Sequence, residues 1–187
     1  MDKMNILVIG SGGREHAIIR KLMQSPKCGK IYCTPGNGGI AADGAECFSV
    51  GATDIDGVVK LAKEVKADLV VVAPDDPLVL GMADALQAEG FRTFGPKKPA
   101  AIIEGSKVFS KNLMKKYGIP TAAYEVFDNS KDAIAYVKKQ NTYPAVIKAD
   151  GLALGKGVIL AQNEAEAVEA IKEMIDGRKF GDHKPCQ

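Results

Sequence analysis

The sequence predicts an α/β protein, in which a doubly wound parallel sheet is followed by a smaller α+β region. Over the first hundred residues, short apolar runs alternate with amphipathic helical segments, a pattern typical of βαβ units. The alternation breaks at Gly95–Pro99, and a glycine-rich segment later separates two further strands. With 187 residues, of which 46% are hydrophobic and 26% charged, the chain is long enough to bury a real core.

The first region is predicted to contain five strands, because each of five short segments is apolar or β-prone and ends at turn residues. They are Ile6–Ile9, Lys30–Thr34, Cys47–Val50, Asp68–Ala73 and Phe91–Phe94. Helical spacing of apolar residues predicts three helices between them, at Glu15–Gln24, Asp54–Lys66 and Leu78–Glu89, whereas Pro35–Gly39 is predicted to be irregular. Ligands of such sheets bind beyond the carboxyl ends of the strands, where the loops at Gly10, Pro35 and Pro74 fall.

The second region is predicted to follow the order β-α-β-loop-β-α after one basic amphipathic helix. That helix covers Ser106–Tyr117 and ends at Gly118 and Pro120. The later elements are Tyr124–Phe127, Lys131–Gln140, Pro144–Lys148, a glycine loop at 151–157, Val158–Ala161 and Glu164–Asp176. We therefore divide the chain into residues 1–97, a connecting segment 98–121, and residues 122–187.

Charge and composition exclude several classes of protein. The net charge is only +2, so the sequence lacks the strongly basic surface expected of a nucleic-acid-binding protein. The charge does not indicate any other charged partner. No apolar run is long enough to span a membrane, and the N-terminus does not resemble a signal peptide. The four cysteines contain no CxxC pair and the chain has only two histidines, so the sequence has no zinc-ligand spacing. We expect the thiols to be reduced and the protein to be cytoplasmic.

The turn Gly10–Gly13 indicates a ligand site, because glycines let backbone amides approach an anion at a helix N-terminus. Glu15 stands at the third glycine position of the dinucleotide fingerprint, and no carboxylate ends the second strand, so NAD binding is disfavoured. A phosphate or small polar ligand remains possible, as does a tight turn that only packs the helix.

Pro35–Gly39 is a second candidate loop or a surface turn. The carboxylates at Pro74–Pro77 either cap a helix or bind a sugar hydroxyl or amine.

The segment Lys148–Val158 is the strongest local signal. It is not a Walker A loop, because three residues separate Gly151 from Gly155, and a strand follows instead of a helix. We interpret it as a glycine hairpin that folds over a triphosphate, with Lys148 beneath it and Lys156 in it as point charges. The alternative is a mobile hairpin with solvated lysines. Lys107, beside a helix N-terminus, is a further candidate phosphate ligand.

Taken together, these motifs resemble the ATP-grasp ligases, and most closely the phosphoribosylamine–glycine ligase (glycinamide ribonucleotide synthetase) family of purine biosynthesis. The matching segments occur in the family's order: Gly10–Ala17, Pro35–Gly38, Pro77-Leu78 with Gly81, Phe94–Pro96, Glu104–Lys107, Ile119–Ala122 and Ile147–Val158. The resemblance implies a pre-ATP-grasp domain followed by the lid subdomain of an ATP-grasp fold. It also implies a ligase that joins glycine to 5-phosphoribosylamine through a glycyl phosphate, giving glycinamide ribonucleotide, ADP and phosphate.

The resemblance further implies which residues bind each partner. Substrate would be bound by Gly12, Gly13, Arg14, Glu15, Asn37, Asp75 and Pro77. ATP would be bound by Lys107, Lys148, Gly151, Gly155, Lys156 and Gly157. Family members are longer, so we expect this chain to be an N-terminal portion, with the catalytic core and the Mg²⁺ ligands lying beyond residue 187. The alternatives are a stand-alone phosphoribosyl-binding module and another ATP-grasp ligase or carboxylase.

Overall fold

The computed structural model describes residues 3–151, 157–177 and 185–186. Two compact units make up the chain, residues 1–101 and residues 102–187. Within the described residues, no helix is both long and apolar enough to cross a membrane.

The N-terminal unit is a parallel sheet of five strands in the order β3-β2-β1-β4-β5, as the doubly wound prediction requires. The strands are β1 (Met4–Gly10), β2 (Cys28–Pro35), β3 (Glu46–Cys47), β4 (Leu69–Val72) and β5 (Thr93–Phe94). The helices are α1 (Gly13–Met23), α2 (Gly38–Ala42), α3 (Ile55–Glu64), α4 (Asp75–Leu80) and α5 (Met82–Ala88). The predicted fold class is confirmed.

Strand β1 lies at the centre of this sheet, which explains its uninterrupted apolar run. Leu7 and Ile9 pack into a core shared with α3 and α5, whereas Ile6 and Val8 pack into a second core with α1 on the other face. All four side chains are at most 2% exposed. A strand covered on both faces gains from apolar residues at every position, so alternation with polar residues is absent.

Three elements of this unit differ from prediction. The helix after β4 begins at Asp75 rather than Leu78, and Gly81 at φ +105° divides it into α4 and α5. Gly38 and Gly39 open a short helix instead of lying in an irregular loop, because the Asn37 side chain accepts a hydrogen bond from the amide of Ile40. Asparagine is among the strongest N-capping residues, which compensates for the low helix propensity of glycine.

The third difference is β3, which ends at Cys47 although the sequence predicts a strand to Val50. Beyond Cys47, the hydroxyl of the fully buried Thr34 donates to the carbonyl of Val50 (2.7 Å), lies 3.0 Å from the carbonyl of Phe48, and accepts from the Val50 amide (3.2 Å). The Phe48 amide still donates to the carbonyl of Cys33, so the Thr34 side chain takes over from backbone pairing only after Phe48.

The C-terminal unit has an antiparallel sheet of three strands in the order β7-β6-β8. Its helices are α7 (Lys107–Lys116), α8 (Ser130–Gln140) and α9 (Glu164–Ile175), and a further helix, α6 (Lys98–Gly105), runs across the division between the units. Its strands are β6 (Ala145–Ala149), β7 (Val158–Ala161) and β8 (Pro185–Cys186). One face of the sheet packs against α8 and α9.

The predicted strand at Tyr124–Phe127 is wrong, since the backbone there makes only an isolated bridge at Val126. Side chains of α7 hold the preceding segment instead. Lys111 donates to the hydroxyl of Thr121 and to the carbonyl of Ala122, while the Tyr124 hydroxyl donates to Asn112. These contacts tie the segment to α7 rather than to a neighbouring strand.

Candidate functional site

In the N-terminal unit, three loops meet at the carboxyl edge of the parallel sheet, after β1, β2 and β4. The Asn37 side-chain amide donates to the carbonyl of Ser11 (2.8 Å) and so joins the first two loops. Arg14 lies 3.8 Å from the carboxylate of Asp75, which joins the first loop to the third. Four predicted substrate residues, Gly12, Gly13, Arg14 and Asn37, are exposed along this edge.

The three loops approach one another closely at Gly10. Its φ is +127°, and an added Cβ would lie 2.4 Å from Cγ of Glu15 and 3.0 Å from Cγ of Pro74. Its carbonyl accepts hydrogen bonds from the amide of Gly36 (3.1 Å) and the thiol of Cys33 (3.3 Å). Only glycine combines this backbone angle with such close approach.

Glu15 is a buried carboxylate at the base of the first loop, only 4% exposed. Its Oε2 accepts a hydrogen bond from the amide of Gly12 at 2.6 Å, so this amide is not free to bind a phosphate as the glycine motif suggested. Within the described part of the chain, its Oε1 accepts no hydrogen bond, and Nε of Arg14 is 4.0 Å away. A buried carboxylate oxygen without a donor is costly, so a ligand that donates a hydrogen bond here would gain from it.

A second set of polar side chains supports the loops from α1. Nε2 of His16 lies 2.8 Å from Oδ2 of Asp43, and Nε of Arg20 lies 3.3 Å from the same oxygen. Gly39 packs against the His16 ring, since an added Cβ would lie 3.0 Å from its Cε1. His16 is therefore a packing residue that joins α1 to α2, and the sequence pattern missed Asp43, its partner from the end of α2.

In the C-terminal unit, the start of α7 contacts the end of β6. The carboxylate of Asp150 accepts hydrogen bonds from the Ser106 hydroxyl (3.1 and 3.0 Å) and from the Val108 amide (3.1 Å). The Lys107 ammonium donates to the carbonyl of Gly151 at 2.7 Å. Two predicted ATP residues, Lys107 and Gly151, are thus in contact. No role was assigned to Asp150 from the sequence alone, although this residue holds the start of α7 against the end of β6. Its position directly after a strand end could have indicated one.

The face of the sheet opposite α8 and α9 carries Lys148. Because side chains alternate along a strand, Ala145, Ile147 and Ala149 enter the core while Lys148 points to the other face. Exposed apolar side chains share that face in register: Val146 opposite Leu160, and Val158 opposite Lys148 itself. A cation set among exposed apolar side chains suits a ligand that combines a flat apolar part with negative charge.

The base of the glycine segment is held by the Ala149 amide, which donates to the carbonyl of Gly157 at 2.8 Å. Gly155 and Lys156, both predicted to bind ATP, lie outside the described residues. Pro77, also predicted to contact substrate, is a buried residue of α4. In the described ranges, no group of three or more His, Cys, Asp or Glu side chains could hold a metal ion.

Comparison with protein families gives two matches that together cover nearly the whole chain. The phosphoribosylglycinamide synthetase N domain matches residues 4–104, and the phosphoribosylglycinamide synthetase ATP-grasp (A) domain matches residues 105–185. The phosphoribosylamine–glycine ligase of Listeria monocytogenes is 49% identical over 96% of this chain, and that of Halalkalibacterium halodurans is 51% identical over 95%. The chain spans 42% and 41% of the lengths of these two relatives.

Solved structures agree with the sequence comparison. The phosphoribosylamine–glycine ligase of Thermotoga maritima is 31% identical and covers 97% of this chain, with a TM-score of 0.72; the match spans 42% of that protein. The biotin carboxylase domain of 2-oxoglutarate carboxylase from Hydrogenobacter thermophilus has the same TM-score at 18% identity over the whole of this chain and 44% of its own, so it shares the fold alone.

Proposed function

Because the chain belongs to the phosphoribosylglycinamide synthetase family, we propose that it supplies the phosphoribosyl-binding and ATP-binding parts of a ligase that joins glycine to 5-phosphoribosylamine. In this reaction the terminal phosphate of ATP passes to the carboxylate of glycine. The amine of 5-phosphoribosylamine then attacks the acyl phosphate, and glycinamide ribonucleotide, ADP and phosphate leave. The relatives named phosphoribosylamine–glycine ligase support the proposal.

The N-terminal unit binds the phosphoribosyl substrate at the three loops. Oε1 of Glu15 accepts a hydrogen bond from an amine or hydroxyl of the ligand, which satisfies an atom that lacks a donor in the described structure. Arg14, whose side chain is 70% exposed, provides positive charge for the substrate phosphate. Asp75 and Asn37 hold the loops around the ligand through their contacts with Arg14 and Ser11.

The observation that carries the ATP-binding half is the position of Lys148 on an exposed apolar sheet face. The apolar side chains opposite and beside it would cover an adenine or ribose, and its ammonium would offset phosphate charge. Lys107, beside Gly151, would bring a second cation to the root of the glycine segment. In phosphoryl transfer, such charge compensation and positioning supply most of the catalysis.

Mg²⁺ would accompany ATP in this reaction, as it accompanies ADP in the carboxylase structure from Hydrogenobacter thermophilus. The described residues do not offer a cluster of ligands for it. We therefore derive no step through a metal held by this chain, and assign its residues to binding, orientation and charge compensation.

Calorimetric titration of ATP into the 187-residue chain tests the ATP half directly. We expect Lys148→Ala to weaken binding at least about tenfold, because an ammonium–phosphate contact contributes about 1.5–3 kcal/mol. Lys115→Ala, which removes an exposed lysine of α7, is the matched control and should leave affinity unchanged. Equal losses in the two variants would mean that general positive charge sets the affinity, and would refute the assigned site.

A chimera tests the whole reaction. In it, this chain replaces the matching segment of the Listeria monocytogenes ligase, and the product is assayed for ADP formation that requires both glycine and 5-phosphoribosylamine. We expect activity in the chimera and its loss on Lys148→Ala. A folded chimera that binds ribose 5-phosphate but forms no ADP would instead support the stand-alone phosphoribosyl-binding module.

A further inference from the structure

Two cysteine side chains lie side by side beneath the loop that follows β2. Cys33 of β2 and Cys47 of β3 are direct partners in the register of two parallel strands. Side chains at paired positions of neighbouring strands point to the same face, and their backbones are about 4.8 Å apart. That spacing lies inside the range of about 4.4–6.8 Å between the Cα atoms of a disulfide.

Gly36 gives an independent measure of how close the two sulfur atoms are. A Cβ added at Gly36 would lie 2.5 Å from Sγ of Cys47 and 3.5 Å from Sγ of Cys33, so both sulfurs border the same small space. Gly36 has a φ of +70° and lacks a side chain, so nothing at residue 36 stands between the thiols. The two thiols are free in this structure.

The two thiols differ in how easily a reagent reaches them. Cys33 is fully buried, whereas Cys47 is half-buried. Burial, with smaller contributions from the charges of Cys47 and Glu15, raises the pKa of the Cys33 thiol to about 12. Cys47 is therefore the thiol that meets a dissolved reagent first, and Cys33 can react only with a group that Cys47 has already brought to it.

From this geometry we propose that Cys33 and Cys47 are an oxidisable dithiol that closes to a disulfide on reaction with a low-molecular-weight disulfide. The thiolate of Cys47 attacks one sulfur of the reagent, its S–S bond breaks, and the first small thiol leaves with the proton from Cys47. Cys33 then attacks Sγ of Cys47 as a thiolate, and the second small thiol leaves with the proton from Cys33. The two protein thiols are oxidised, and one reagent disulfide is reduced to two thiols.

Closure has a structural consequence at the candidate ligand edge. The Cys33 thiol donates a hydrogen bond to the carbonyl of Gly10, and a disulfide has no S–H to donate. Gly10 precedes the loop that has Glu15 at its base, and among the described contacts its carbonyl would keep the hydrogen bond from the amide of Gly36. Oxidation of the pair thus removes one of the contacts that set the geometry of this loop.

Peptide mass spectrometry after oxidation tests the proposal with the chain as it is. The folded chain is incubated with oxidised glutathione, quenched in acid, alkylated under denaturing conditions and digested with trypsin, which places Cys33 and Cys47 in one peptide, 31–60, apart from Cys28. We expect this peptide to lose two hydrogen atoms and to take up no alkyl group. Because the closing step needs the Cys33 thiolate, its rate should rise about tenfold per pH unit near neutrality.

Single-cysteine variants separate the two steps. Cys47→Ser should leave Cys33 unmodified, and Cys33→Ser should retain a glutathione adduct on Cys47. Cys28→Ser, which removes another buried thiol of β2, is the matched control and should oxidise like the parent chain. The proposal is overturned if peptide 31–60 of the folded parent chain stays doubly alkylated, or if its Cys47 keeps glutathione beside a free Cys33.

Discussion

Replacing Gly10 with alanine should destabilise the N-terminal unit strongly, because this residue combines a left-handed backbone with close approach by two neighbours. The φ of +127° is costly for any residue with a Cβ, by about 1–3 kcal/mol. The new Cβ would also lie 2.4 Å from Cγ of Glu15, and relieving an overlap of that kind in a packed region costs about 1–3 kcal/mol. We expect Gly10→Ala to lower the free energy of unfolding by about 2–6 kcal/mol.

Two further variants separate these contributions. Gly44 also has a left-handed φ, +99°, but an added Cβ there would meet nothing within 4 Å, so Gly44→Ala isolates the backbone cost. Glu15→Ala removes the atom with which the new Cβ collides. In that background, Gly10→Ala should cost less than in the parent chain by about 1–3 kcal/mol, whereas the cost of Gly44→Ala should not change.

The measurement is urea unfolding followed by circular dichroism, with amide exchange in β1 to assign the loss to the N-terminal unit. Local exchange is needed because a chain of two units need not unfold in a single transition. Equal destabilisation by Gly10→Ala and Gly44→Ala would refute the close-approach argument. A loss of unfolding free energy in the double variant at Gly10 and Glu15 that equalled the sum of the losses in the two single variants would also refute it.

Three other predictions concern single side chains. Thr34→Val should cost about 2–3 kcal/mol in the same unfolding assay, because it removes a buried hydroxyl that both donates to and accepts from the backbone of Val50. Thr53→Val at an exposed site should change stability by under about 0.5 kcal/mol. Asp150→Ala should speed amide exchange at the start of α7 about tenfold or more, and unchanged exchange would show that this carboxylate does not hold the junction. Because the pKa of Cys33 is raised in the folded chain, the unfolded chain loses this thiol proton first as the pH rises. The free energy of unfolding should therefore fall by up to about 1.4 kcal/mol per pH unit between the ordinary thiol pKa and about pH 12. Cys33→Ser should remove this contribution to the pH dependence.

Most of the fold of the N-terminal unit could be predicted because its signals are local. The run at Ile6–Ile9 and the helical spacing after Asp54 depend on burial faces that a short window of sequence reveals. The family resemblance, built on short motifs in order, is confirmed by the family matches. The assignment of individual residues to ATP or substrate stays a prediction.

The two strands that were wrong or too long in prediction share one physical cause, which is competition from side chains distant in sequence. Lys111 holds the carbonyl of Ala122, just before the predicted strand at Tyr124–Phe127, and the Thr34 side chain bonds the backbone of Val50 in the predicted third strand. Propensity favoured strands in both places. A hydrogen bond across ten or more residues depends on how the elements pack, and no local window of sequence contains that information.

Local sequence was sufficient for the fold class, for the family, and for the three loops at one edge of the parallel sheet, because strand ends and glycine turns are encoded by neighbouring residues. The chemical state of those loops depended on packing in three dimensions. The glycine motif suggested free amides for a phosphate, but folding brings the carboxylate of Glu15 onto the amide of Gly12. Among the residues that the structure describes, the second oxygen of this carboxylate is buried without a donor. Likewise, strand register alone sets Cys33 beside Cys47, since fourteen positions of chain separate two residues that the sheet makes neighbours.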